Sequence, residues 1–207
     1  SEKEKNKVRE TIQALGKQGF RILGVAKSSF EGHNFPVKQQ DFKFYFLGLT
    51  VFYDPPKEGI QEVFRHIYNA GIKVKVITGD NTETTQSIAA QAGIINTAGA
   101  IEGQEIMQYS EAQLLQAVEE KTVFTRMFPE AKLAIVNALK KKGEVVAMLG
   151  DGVNDGPALK AAHIGVAMGS KGTEIAKAAA ALVITNDDLD KLIFGIASGR
   201  RIYANIK

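Results

Sequence analysis

Along the first sixteen residues Val8, Ile12 and Leu15 recur at helical spacing among charged side chains before Gly16, which predicts an opening helix. FRILGVAK then reads as a strand, and the polar, Gly- and Pro-marked SSFEGHNFPVKQQ as a connection and the best candidate for a domain boundary. FKFYFLGLTVFYDPP, rich in aromatic and β-branched residues, predicts a strand halted at Pro55 and Pro56. The next helix, EGIQEVFRHIYNAG, carries Ile60, Val63, Phe64 and Ile67 on one face and stops at Gly71. From there strand and helix alternate. IKVKVIT is a strand. Asp80 and Glu83 stand at capping-box spacing for the helix TETTQSIAAQAG, and Gly93 closes it. Ser110 and Gln113 start a helix to about Glu120, TVFTRM is a strand, and PEAKLAIVNALKKKG is a helix with proline in its first turn and Gly143 at its end. The strand EVVAML, the loop GDGVNDG, the helix PALKAA and short strands at HIGVAMG and AALVIT follow. A last helix is striped by Leu189, Leu192, Ile193 and Ile196. Strands alternating with helices predict a mostly parallel α/β sheet covered on both faces.

Composition narrows the picture without changing it. At 207 residues with 44% hydrophobic content, the chain has enough apolar material for one sizeable domain and a smaller appendage. The 26 basic and 23 acidic residues nearly balance, and no run of one sign is long enough for a dedicated nucleic-acid or lipid patch; Lys140 to Lys142 reads as a solvated helix end. Without cysteine there is neither disulfide nor thiol chemistry. No apolar run approaches the roughly 18 residues of a bilayer span, and no signal peptide is visible. The chain therefore reads as soluble, and its start without a methionine reads as that of a piece excised from something longer.

In a sheet of this kind ligands bind beyond the carboxyl ends of the strands, and three polar groups fall there. Thr78 follows IKVKVI, Asp151 follows EVVAML, and Lys132 lies just inside the helix after TVFTRM. A lysine at the positive end of a helix dipole is in conflict unless an anion lies nearby or it reaches into water. Asp151 and Asp155, in a loop loosened by Gly150, Gly152 and Gly156, can bring their carboxylates together, which is costly unless a cation intervenes. Magnesium is the hard cation suited to one or two carboxylates plus phosphate oxygens; capping of the helix near Pro157 is the alternative. Thr78 with Gly79 offers a hydroxyl and backbone amides to a phosphate. Together these compose a phosphoryl site without a nucleophile.

Three stretches, TGDN (78–81), FPEAK (128–132) and above all GDGVNDGPALKAA (150–162), resemble the phosphorylation domain of P-type cation-transporting ATPases, in the haloacid-dehalogenase-like superfamily. GFRILGVA resembles the end of the nucleotide-binding domain, FLGLTVFYDPP the re-entry into the phosphorylation domain, and GRRIYANIK the approach to a transmembrane helix. The resemblance divides the chain at about residue 40: 1–40 as the end of the nucleotide-binding domain with its linker, 41–207 as the phosphorylation domain. It implies Asp151 as the main Mg2+ ligand, with Asn154 and Asp155 shaping the phosphate environment. Lys132 would neutralise the phosphoryl group, and Thr78 and Gly79 would hold its oxygens. Arg21 would reach the ATP phosphates, Asp80 would orient the nucleotide-bearing side, and Asp54 would lie at the hinge.

The family's nucleophile is the aspartate of a DKTGT motif, which becomes an acyl phosphate. This sequence has no DKTGT. The resemblance therefore implies a cytosolic catalytic piece of an integral-membrane pump, inactive alone. Its partners would be ATP and the rest of the pump, including the DKTGT segment and the transmembrane helices. The haloacid-dehalogenase-like sheet would lack its nucleophile strand, leaving a slot between the strands ending at Thr78 and Asp151 that closes or pairs with another chain. Gly156 stands where alanine is usual and His163 where aspartate is usual. TGDN with DGVND is more like pumps of calcium or sodium than of soft metals. A stand-alone phosphatase of the superfamily would need its own aspartate nucleophile, and Asp54, followed by two prolines, has the wrong neighbours.

Overall fold

The computed structural model describes residues 2–30, 32 and 35–206, so Glu31, His33 and Asn34 of the expected connection lie outside the described residues. The chain forms two compact units that divide between Pro55 and Pro56. The first contains α1 (Glu2–Gly16) and the strands β1 (Arg21–Lys27) and β2 (Tyr45–Phe52). β1 and β2 pair antiparallel from Arg21↔Phe52 to Lys27↔Tyr45, with a bulge at Val25/Ala26 that leaves Leu47 out of the ladder. Because β2 is bonded to β1 along its length, the compact unit runs on to the prolines. Within it the Phe30 and Phe35 rings stack at 4.7 Å and Phe42 meets Phe30 edge-on at 5.9 Å, which brings these three side chains into one aromatic cluster.

The second unit holds α2 (Ile60–Asn69), β3 (Val76–Ile77), α3 (Thr82–Gln91), β4 (Ile101–Glu102), α4 (Gly103–Ile106), α5 (Glu111–Glu120), β5 (Val123–Thr125) and α6 (Pro129–Lys141). It continues with β6 (Ala147–Gly150), α7 (Gly156–Ala161), β7 (Ile164–Met168), α8 (Glu174–Ala179), β8 (Leu182–Ile184) and α9 (Asp190–Ile206). The strands form two three-stranded parallel sheets, in the orders β3-β5-β4 and β6-β7-β8. The expected parallel α/β architecture is thus present, with β1 and β2 as its antiparallel exception. The sheet does not close over the expected slot: β3 and β6 are each an edge strand and are not paired with one another.

α6 ties the two sheets together because it is apolar on two sides. Ala131, Ile135 and Ala138 pack with Phe124, Ile101 and Val118 under the first sheet, while Val136 packs with Met148, Leu159 and Ala167 under the second. Phe124, Ile135 and Leu159 are essentially inaccessible to solvent, each contributing about 1.5–3 kcal/mol of burial. At the amino ends of the strands Lys73 bridges to Glu144 at 2.9 Å, and Lys75 donates to the carbonyls of Glu119 and Lys121. Burial holds the Lys75 ammonium below the usual lysine range.

Three details differ from the sequence reading. The cap of α3 is Asn81, whose side chain accepts from the Thr84 amide, not Asp80. Asp80 is drawn into a preceding turn, where its amide donates to Thr78 Oγ1 and its carbonyl accepts from the Arg126 amide. IKVKVIT supplies a ladder only at Val76–Ile77, and EVVAML only from Ala147 onward, its strand running one residue further into the expected loop at Gly150. β4, α4 and α8 had no expected counterpart: each is two to six residues long, too short for a period to be visible. The Ser110/Gln113 capping box of α5 is present in full, and Gly93 and Gly143 end α3 and α6 at φ of 81° and 83°.

Candidate functional site

The carboxyl ends of β3, β5 and β6 are joined by a continuous set of bonds. Thr78 donates its amide to Phe124, fixing it one residue beyond β3, and its carbonyl accepts from the Met127 amide at 2.9 Å. Arg126, between these contacts, takes the left-handed conformation (φ 50°) and its Nε reaches Glu102 Oε1 at 3.0 Å. Beneath it the fully buried Thr125 hydroxyl bonds Thr82 Oγ1 at 2.8 Å. The turn from Met127 delivers Phe128 and then α6, with Pro129 in the first turn and Lys132 one turn in. Thr78 is half-buried and Gly79 exposed, and Thr78 Oγ1 lies 3.4 Å from Asp80 Oδ2, to which it donates.

Lys132 is only 9% exposed, and its ammonium lies 2.6 Å from Oδ1 of Asp155, itself 6% exposed. The anion that relieves the lysine's conflict with the helix dipole is therefore a protein carboxylate, and the lysine does not extend into water. The other oxygen of Asp155 accepts from the Gly152 amide at 3.1 Å, so Asp155 braces its own loop and does not cap α7. Only a glycine fits at 150: a Cβ there would stand 2.6 Å from Asp155 Cβ.

Asp151 and Asp155 consequently have different surroundings, and the expected convergence of two carboxylates on one cation is replaced by a lysine neutralising one of them. Asp151 is exposed, and its carboxylate makes no hydrogen bond or ion pair among the described residues. Its backbone is held, since its carbonyl accepts from the Thr173 amide at 2.8 Å. One hard oxygen donor on a fixed backbone suits magnesium, which completes its shell with phosphate oxygens and water. Among the described residues no group of three or more His, Asp or Glu side chains could hold a metal ion, so this rim offers an anchor and not a protein cage. Asn154 is exposed in a 3-10 turn, Val153–Asp155.

Arg21 and Asp54 belong to the first unit, where Arg21 opens β1 opposite Phe52 and Asp54 follows β2, both exposed. The unusual Gly156 is not sterically required, for an added Cβ would meet Ile175 Cγ2 at an ordinary 3.6 Å. His163 accepts the Val146 amide on Nδ1 at 3.1 Å and so aligns the start of β6. The sequence reading missed Thr173 and Asp187, and no local motif marked them; they matter through backbone bonds to remote loops.

Residues 33–163 match the haloacid dehalogenase-like hydrolase family. The chain is 38% identical to the cation-transporting ATPase pma1 of Synechocystis, over 99% of this chain and 23% of that protein. It is 37% identical to calcium-transporting ATPase 1 of Bacillus cereus, over 100% and 23%, and 40% identical to calcium-transporting ATPase type 2C member 1 of Homo sapiens, over 93% and 20%. It thus spans less than a quarter of the length of these relatives. A parallel α/β unit with polar groups gathered where its strands end, and a match over more than half its length, make this chain a member of the haloacid dehalogenase-like hydrolase family.

Proposed function

We propose that this chain is the cytosolic catalytic portion of an ATP-driven cation pump, with calcium as the transported ion, whose acyl phosphate forms on a DKTGT aspartate supplied by another part of the same protein. The observation that carries this is the joined rim of Thr78, Lys132, Asp155 and Asp151 at the ends of β3, β5 and β6. The near full-length similarity of the chain to cation- and calcium-transporting ATPases supports it.

In this reading Asp151 anchors Mg2+, and the ion, when bound, offsets charge on the phosphoryl oxygens. Lys132 keeps two N–H donors beyond the one given to Asp155, and these stabilise the same charge. Thr78 turns its hydroxyl from Asp80 to a phosphoryl oxygen, and the Gly79 amide lies beside it. Asn154 and Asp155 hold the loop. Arg21 and Asp80 serve the ATP side, and Asp54 lies at the hinge; the residues before about 40 belong to the nucleotide-binding part and those after to the phosphorylation domain. The edges of β3 and β6 accept the strand that ends in DKTGT. The Lys73–Glu144 pair suits such a slot, because two long side chains bridge about two interstrand spacings of ~4.8 Å each.

No helix among the described residues is long and apolar enough to cross a membrane; in this reading the transport path belongs to the rest of the protein. The test is ATP-dependent calcium uptake into vesicles containing the full-length protein. Uptake that vanishes in Asp151→Ala is expected; uptake unaffected by that change would exclude the site, and transport of another cation would exclude calcium.

A further inference from the structure

The geometry points to Asp187 as a positioning residue for Asp151, acting through the loop after β7; this rests on the reading of Asp151 as the magnesium ligand. Asp187 lies 36 positions along the chain from Asp151, is 5% exposed and takes a left-handed conformation at φ 53°. Its two carboxylate oxygens accept from consecutive amides, Ser170 at 3.0 Å and Lys171 at 2.9 Å. A buried carboxylate is costly unless it is satisfied in this way, so the two amides fix the side chain and the side chain fixes the loop.

The rest of that loop is zipped to the segment leading into Asp187. The Gly169 amide donates to the Ile184 carbonyl at 2.8 Å, and Ser170 Oγ donates to the Thr185 carbonyl at 3.2 Å. Contact is close enough that a Cβ on Gly169 would stand 2.6 Å from Thr185 Cα, and one on Gly172 would stand 2.0 Å from the Met168 carbonyl oxygen. The loop ends at Thr173, whose amide donates to the Asp151 carbonyl. Asp187 therefore sets the Ser170–Lys171 backbone, that backbone sets Thr173, and Thr173 holds the main chain of the residue whose carboxylate projects at the rim. Lys57 adds a second tie, donating to the Asp187 carbonyl at 3.0 Å. A ligand on an exposed loop gains affinity when its backbone is held in advance.

The experiment is a magnesium chloride titration of the 207-residue chain, followed through its backbone amide resonances, with Asp151→Ala and Asp187→Asn beside the wild type. Asparagine tolerates the left-handed conformation and keeps one acceptor oxygen while presenting N–H to the second amide. Saturable shifts at Asp151 and Thr173 are expected in the wild type and their loss in Asp151→Ala. Asp187→Asn should bind magnesium about tenfold more weakly, the low end for a residue supporting a metal ligand, with the rest of the spectrum unchanged. A purely structural role would lower the melting temperature and leave this affinity alone. Wild-type affinity in Asp187→Asn overturns the inference while the Asp151 assignment stands; wild-type titration in Asp151→Ala overturns both. Should Asp187→Asn not fold, exchange of the Ser170 and Lys171 amides in the wild type decides: slowing on magnesium saturation supports the inference, and unchanged exchange overturns it.

Discussion

Lys132 and Asp155 form a buried pair in which each charge depends on the other. Removing one partner from such a pair costs about 3–5 kcal/mol, because the survivor stays desolvated and unpaired. Lys132→Ala is therefore expected to lower the unfolding free energy by that amount in urea, and a double-mutant cycle with Asp155→Asn should show strong coupling; independent effects would mean the pair does not form. Gly150→Ala tests the same contact from the backbone, since the new Cβ must displace Asp155. It should destabilise the protein where Gly156→Ala, with room for its methyl group, does not. The lysine was legible in the sequence as a cation at the wrong end of a helix, yet the carboxylate answering it, 23 residues away, was not, because only the tertiary fold brings them together. Asp187 left no signal for the same reason: its partners are main-chain amides, which any residue carries.

At the scale of elements, caps discriminate between readings. Asn81→Ala should cost about 1 kcal/mol through loss of the α3 cap, whereas Asp80→Ala should leave the stability of α3 nearly unchanged; the reverse order in chemical denaturation would restore the Asp80 reading. Glu119 is held below the usual carboxylate range, chiefly by its hydrogen bond to Lys142, and Glu62 likewise by Arg65. Both folded-state values are depressed, so their contribution is present above the unfolded carboxylate range and is lost as pH falls through the depressed values. Glu119→Gln should accordingly shrink the drop in urea midpoint on acidification below about pH 4.3, and a drop as large as the wild type's would contradict the pairing. Helices were readable where the period is joined by a local end signal, the capping box at the start of α5 and the first-turn Pro129 and closing Gly143 of α6. Strand lengths were not, because a ladder extends only as far as the partner strand runs alongside, over two residues where β3 meets β5 and four where β6 meets β7.

For the molecule as a whole, the class of fold followed from alternation and GDGVNDGPALKAA pointed to the candidate rim, while the division into two parallel sheets depends on remote pairings that no local pattern marks. The similarity to ATPases several times longer fits a chemistry whose covalent acceptor lies elsewhere. Covalent phosphorylation from labelled ATP measures that dependence. Magnesium-dependent, hydroxylamine-sensitive labelling of the full-length protein, lost in Asp151→Ala, is expected, with no labelling of the 207-residue chain alone. An acyl phosphate on the isolated chain, or undiminished labelling of the Asp151 variant, would contradict it.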